Sequence, residues 1–254
     1  VDAICDGEEI LIPGIMEHIE RVGIRHGDNI SVYPSQSLNK NIAQKVFSYA
    51  ETLAQMLTIQ GLMSIKYIVR EEDVFVKELI PIASASAPYN SKVSGLPLID
   101  IAVRVCLGET LESTGFGTGM VTDFDMVAIK SPIYTCTKSK DENAPFGLDI
   151  KASGDVMGVD AEFAMSLLKA MTSSGMKMPR CRGGRVLLTV ADGDKSELLP
   201  IAEMLLGMDY ELIATEGTAL YLNQNYLGCD LVRPMSGESP NLYDLVKEGV
   251  DLII

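Results

Sequence analysis

The chain is short of positive charge. Its 254 residues carry 21 lysines and arginines against 35 aspartates and glutamates, a formal net charge of −14. Nucleic-acid binding rests on lysine and arginine neutralising phosphates, so that class is excluded, and docking on an anionic membrane surface goes with it. The acidic residues are spread out and read as a solvated surface. Cysteines are few and scattered. Cys5, Cys106, Cys136, Cys181 and Cys229 show no C-x-x-C spacing and an odd count, which fits small core residues in a reducing cytoplasm. There are two histidines, His18 and His26. Neither is spaced to join a serine, cysteine or aspartate in a nucleophilic site, so no catalytic residue is assigned. No apolar run approaches the ~20 residues of a membrane span, and no signal peptide is present. The expected location is the cytoplasm. A start at Val1 without methionine and an apolar finish at residues 250–254 suggest that both ends are cut.

What is present is enough apolar material, 47% of residues, for one large domain or two small ones. Strand signals open the chain on either side of Asp6-Gly7. Residues 38–59 predict a helix, with Ile42, Val46, Tyr49, Leu53, Met56 and Leu57 on one face and Gly61 as its stop. Residues 82–89 are small and polar and read as a loop. Pro97 opens a second helix over residues 97–107. A strand is expected at 126–129, and a helix beginning near Asp160. The glycine-rich stretch 180–184 is the best domain boundary, dividing the chain into residues 1–182 and 183–254. Beyond it the pattern alternates strand and helix, as a parallel α/β sheet does. Strands are expected at 185–190, 211–214, 230–232 and 250–254. Asp194 with Glu197 reads as a capping box, and Ser239-Pro240 as the cap of the last helix.

The most informative stretch is GLMSIKYIVREEDVFVKELIPIASASAPYNSK, residues 61–92. It reads as a hairpin with its turn at residues 70–73. If Arg70 faces Val74, Lys66 falls opposite Glu78, on a face shared with Ile68, Val76 and Ile80. A lysine and a glutamate on such a face are either one cross-strand ion pair at a sheet edge or a nucleotide site, or what remains of one. In the second half, Thr215 and Thr218 stand at a predicted helix start, with Lys195 able to reach the same sheet edge. Free N–H groups there favour phosphate, although threonines at helix starts also serve as ordinary caps.

The motifs resemble a known family, the large chain of carbamoyl-phosphate synthetase. GIMEHIE at residues 14–20, SKVSGLPLIDIAVRV at 91–105, KASGDVMG at 151–158, DGDK at 192–195 and ATEGTA at 214–219 carry the resemblance. It runs the length of the chain. It implies the C-terminal lobe of the second ATP-grasp, an α+β unit, followed by a truncated methylglyoxal-synthase-like parallel α/β domain. It also implies ATP and Mg²⁺ as cofactors and ATP-dependent phosphorylation of carbamate to carbamoyl phosphate, in arginine and pyrimidine biosynthesis. Gly23, Ile24, Arg25 and His26 stand in the family's ATP-binding segment, Arg25 where the family has a nucleotide-contacting histidine. Glu78 matches the metal-binding glutamate and Pro81 the proline after it. Lys66 stands for a metal-binding glutamine, Ile80 for an asparagine, and Ile82 and Ala85 for arginines. The site is expected to be degenerate. Lys195, Thr215 and Thr218 match the regulatory domain's effector-phosphate residues, with Arg233 where the family has a further lysine. The implied partners are the remaining N-terminal part of the large chain, a glutaminase small subunit and a phosphorylated nucleotide effector. A regulatory or scaffolding module that binds such an effector without catalysis is the alternative.

Overall fold

The computed structural model describes residues 1–20, 29–122, 124–133, 154–179 and 182–254. The chain divides into two compact units, Val1–Met176 and Lys177–Ile254.

The first unit is built on two sheets. The larger has five strands in the order Asp73–Ile80, Gly61–Arg70, Asp2–Cys5, Ile10–Ile12, Gly119–Met120. Its central strand, Asp2–Cys5, is buried at every residue. Both faces are covered, so its residues do not alternate apolar and polar. Ala3 and Cys5 pack with Met63 and Ile65 against Ala50 and Ala54 of the helix Lys40–Met56. Ile4 and Leu62 pack on the opposite face against Leu98, Ile101 and Val105 of the helix Leu98–Cys106.

The first helix is shorter than the sequence predicts. Asn39 caps it, its side chain accepting from the Ile42 N–H at 2.9 Å. It ends at Met56, ahead of Gly61, because Thr58 turns into the left-handed region at φ 52°. Gly61 instead begins a strand, where a side chain would collide with the Cys106 sulfur. The expected loop at 82–89 also needs correction, since a helix over Ala87–Ser94 starts inside it. Pro88 sits in its first turn and Gly95 ends it in the left-handed conformation. The small polar residues before it are ligands of a buried carboxylate, described below.

The second sheet is antiparallel, in the order Glu17–His18, Ser31–Tyr33, Val127–Ile133, Gly154–Asp160. The last strand contains part of the KASGDVMG motif; residues 151–153 lie outside the described residues. The helix Phe163–Ser173 packs on this sheet through Ala170, against Val32 and Ile129. Gly158 makes the approach possible: a methyl group there would overlap the Ser166 carbonyl oxygen and the Ala170 nitrogen.

The second unit holds four parallel strands in the order Asp230–Val232, Tyr210–Thr215, Gly184–Leu188, Leu252–Ile253. Helices Lys195–Gly207 and Glu216–Gln224 cover one face through Leu198, Ala202, Ala219 and Leu222, on Val186, Leu188, Leu212 and Ala214. The helix Leu242–Glu248 covers the other face, with Leu245 on Leu187 and Val232. Two expected caps differ. The Asp194 side chain makes no capping bond; a 3₁₀ turn over Asp192–Asp194 runs into that helix instead. The capping box is at Asn241 and Asp244, and Ser239 supports it by donating to Asp244 at 2.7 Å.

Gly158→Ala is expected to cost about 1–3 kcal/mol, because the contact is with backbone that cannot step aside. Gly154 on the same strand faces open space, and Gly154→Ala is expected to stay within about 0.5 kcal/mol. Urea unfolding of the two variants checks the difference.

Candidate functional site

The hairpin places Lys66 and Glu78 as cross-strand partners. It does so by a different route from the one the sequence suggests. Arg70 pairs with Asp73, not Val74, and the loop is Glu71-Glu72, with Glu71 at φ 55°. A bulge at Lys66/Tyr67 then takes up one residue of the returning strand, Lys77, and restores the Lys66–Glu78 pairing. Phe75, rather than Val76, therefore lies beside Ile68.

The Lys66 ammonium donates to Glu78 Oε2 at 2.9 Å. Both side chains are about half exposed, 56% and 46%. This corrects the expectation of a largely apolar face, because Glu78 has no need of a partner to offset burial. The hydrogen bond from Lys66 and its charge hold the Glu78 carboxyl below the ordinary range. Ile80 pairs with Ser64 and is half-buried, and Ile82 is exposed. Gly23, Ile24, Arg25 and His26 lie outside the described residues. Among the described residues, no cluster of three or more histidines, cysteines and carboxylates is arranged to hold a metal.

A neighbouring polar cluster was not foreseen. The Asp2 carboxylate is 1% exposed. It accepts from Ser84 Oγ at 2.7 Å, Ser86 Oγ at 3.0 Å and Asn90 Nδ2 at 2.6 Å. A buried carboxylate is tolerated when such donors replace water. The pairing puts Asp2, Ser64 and Ile80 side by side on three strands. Lys66 and Glu78 are the next pair along on that face. The signal in the sequence is the run of small polar residues at 82–90, which a loop reading absorbs.

In the second unit, Lys195 reaches the Thr215–Thr218 turn. Its ammonium donates to the Gly217 carbonyl at 2.9 Å and contacts Asp192 Oδ1 at 2.6 Å. Thr215 is the N-cap of the helix Glu216–Gln224, but its hydroxyl makes no capping bond. It lies 3.5 Å from the hydroxyl of Thr189, a residue the motif reading missed. Thr218 is buried, at 1% exposure. Arg233 is not part of this group, since its guanidinium lies 3.9 Å from Glu238. Arg233 instead borders a cleft of about 440 Å³ with Ile213, Asp230, Asp244, Leu245 and Glu248. Three carboxylates against one guanidinium make that cleft unsuited to phosphate.

Two of the described cysteines, Cys5 and Cys229, are poor nucleophiles. Burial pushes the Cys229 thiol up to about 11, with Asp230 adding to it, and burial also raises Cys5. No helix among the described residues is long and apolar enough to cross a membrane.

The geometry thus consists of a unit of two sheets packed with helices and a parallel α/β domain with a lysine at a helix start. Family models agree. Residues 4–114 match the carbamoyl-phosphate synthase L chain, ATP binding domain, and residues 197–254 match the MGS-like domain. The chain is 39% identical over 255 residues to the carbamoyl phosphate synthase large chain of Lachnoclostridium phytofermentans, covering 100% of this chain and 24% of that one. The corresponding protein of Clostridium botulinum strain Kyoto is 40% identical, with the same coverage of 100% and 24%. Among solved structures, the biotin carboxylase domain of a single-chain bacterial carboxylase superposes with a TM-score of 0.47 at 18% identity, covering 52% of this chain and 31% of that one. The chain belongs to the carbamoyl phosphate synthase large-chain family. It spans about a quarter of the length of the curated relatives it matches, 24% in each.

Proposed function

We propose that the chain serves as the C-terminal portion of a carbamoyl-phosphate synthase large chain, in which this lobe keeps the frame of a nucleotide site without its cation chemistry. The parent reaction is ATP-dependent phosphorylation of carbamate to carbamoyl phosphate in the cytoplasm, feeding arginine and pyrimidine synthesis. The rest of such a large chain and a glutaminase subunit are the partners. One observation carries the reading of a degenerate site: the Lys66 ammonium lies on Glu78 Oε2 at 2.9 Å. Magnesium seeks near-octahedral oxygen ligands at about 2.0–2.1 Å. Here the first carboxylate oxygen is taken by a cation, and Ile80 offers hydrocarbon at the next site residue. The residues present do not fit the metal. Ile82 and Ala85 further lack the positive charge that steadies a transferring phosphoryl group.

The alternative is a regulatory or scaffolding module, and it rests on Lys195. That side chain is 14% exposed and ends at the Thr215–Thr218 turn. The turn sits at the C-terminal edge of a parallel sheet, where open α/β folds bind ligands. A phosphorylated nucleotide effector is the ligand class that this charge and turn suit.

Calorimetric titration with ATP and Mg²⁺ tests the first reading. Wild type is expected to show no metal-dependent binding, and Lys66→Gln with Ile80→Asn to gain it; metal-dependent binding by the wild type at micromolar ATP contradicts the reading. For the second, an amide NMR titration with inorganic phosphate is expected to shift Thr215–Thr218 in the wild type. Lys195→Met is expected to abolish those shifts, and a wild type with no shifts removes the effector reading.

A further inference from the structure

Lys195 is already occupied by an anion from its own chain. The contact spans one turn: Asp192 and Lys195 are three residues apart, across the 3₁₀ turn Asp192–Asp194. The two sides of the lysine differ in kind. On one side the Gly217 carbonyl, 2.9 Å away, is part of the backbone of the helix start. On the other, the Asp192 carboxylate is 95% exposed, while the lysine is 14% exposed. A fixed dipole holds the ammonium in place, and a solvent-facing carboxylate balances its charge.

We propose that Asp192 is a built-in competitor for the anion that Lys195 binds, so that a ligand must displace this carboxylate to engage the lysine. The inference rests on the effector-phosphate reading of this site. An ion pair with one fully exposed partner is weakened, because water competes for the Asp192 carboxylate and its side chain loses freedom. The Lys195–Asp192 contact therefore yields readily to a better anion. A phosphate dianion brings twice the charge and more acceptor oxygens, and it also meets the free N–H groups of the helix start. A carboxylate or a singly charged anion exchanges one charge for an equal one and gains little. Asp192 thus sets a threshold that favours doubly charged phosphate and keeps the lysine neutralised in its absence. Lys195 faces an anion in both states, and Asp192, being 95% exposed, is solvated once displaced, so switching needs only rotation of one exposed side chain.

The experiment titrates inorganic phosphate at constant ionic strength, reading the amide shifts of Thr215–Thr218. Asp192→Asn is expected to tighten phosphate about fivefold or more, by removing both the competing pair and its repulsion of the ligand. Asp194→Asn removes the same charge two residues along, from a side chain that has no ion pair with Lys195, and is expected to leave affinity unchanged. Equal affinity for wild type and Asp192→Asn overturns the inference while leaving the phosphate site standing. An equal gain in Asp194→Asn also overturns it, because the effect is then general charge. No shift at Thr215–Thr218 in either wild type or Asp192→Asn removes the phosphate reading, and the inference with it.

Discussion

The first unit depends on how it buries one carboxylate. Asp2 lies on the central strand of the five-stranded sheet and is 1% exposed. Its donors, Ser84, Ser86 and Asn90, come from a segment more than eighty residues later. A carboxylate in this position is costly unless its hydrogen bonds are complete. The polar segment after the hairpin therefore has one docking place. That docking delivers the helix Ala87–Ser94 onto the sheet face where Ile4 and Leu62 pack. It also fixes the end of the returning strand, because Ile80 and Ser64 stand in line with Asp2. The Lys66–Glu78 pair is the next step along the same face. The scaffold of this hairpin edge is thus held by buried polar bonds that do not involve Lys66 or Glu78.

That separation explains how the frame and the chemistry diverge. On the proposed reading, Lys66 stands where the family's cation belongs, and Glu78 keeps an opposite charge beside it, at 2.9 Å. The exchange occurs on an exposed hairpin, where an ion pair is nearly neutral for stability. Nothing in the packing of Ile65, Met63 or Ala3 resists it. In the second unit the corresponding economy is Lys195, whose ammonium is held against the Gly217 carbonyl at 2.9 Å.

Much of this was legible in the sequence, and the failures have physical causes. The Lys66–Glu78 pairing came out right from a wrong turn. The loop is one residue tighter than Arg70 facing Val74 requires, and the bulge at Lys66/Tyr67 returns that one-residue offset; period-two patterning does not reveal a bulge. The four strands of the second unit are readable because parallel strands between covering helices appear as short apolar runs, most clearly in the two central strands Gly184–Leu188 and Tyr210–Thr215. Asp194 reads as a side-chain cap because composition does not distinguish a 3₁₀ entry from a capped one. The Asp2 network was invisible because its partners are long-range. The proximity of Lys195 to the threonines followed from sheet topology, whereas Asp192, two residues before Asp194 in the same motif, gave no sign of its pairing.

The central claim is that an ion pair has taken the place of a cation site on the hairpin. Paramagnetic broadening by Mn²⁺ tests it directly, with amide signals of the chain followed in the presence of ATP. The account predicts that Lys66, Glu78 and Ile80 broaden no more than the chain average. Broadening centred on Glu78 and dependent on ATP would contradict it.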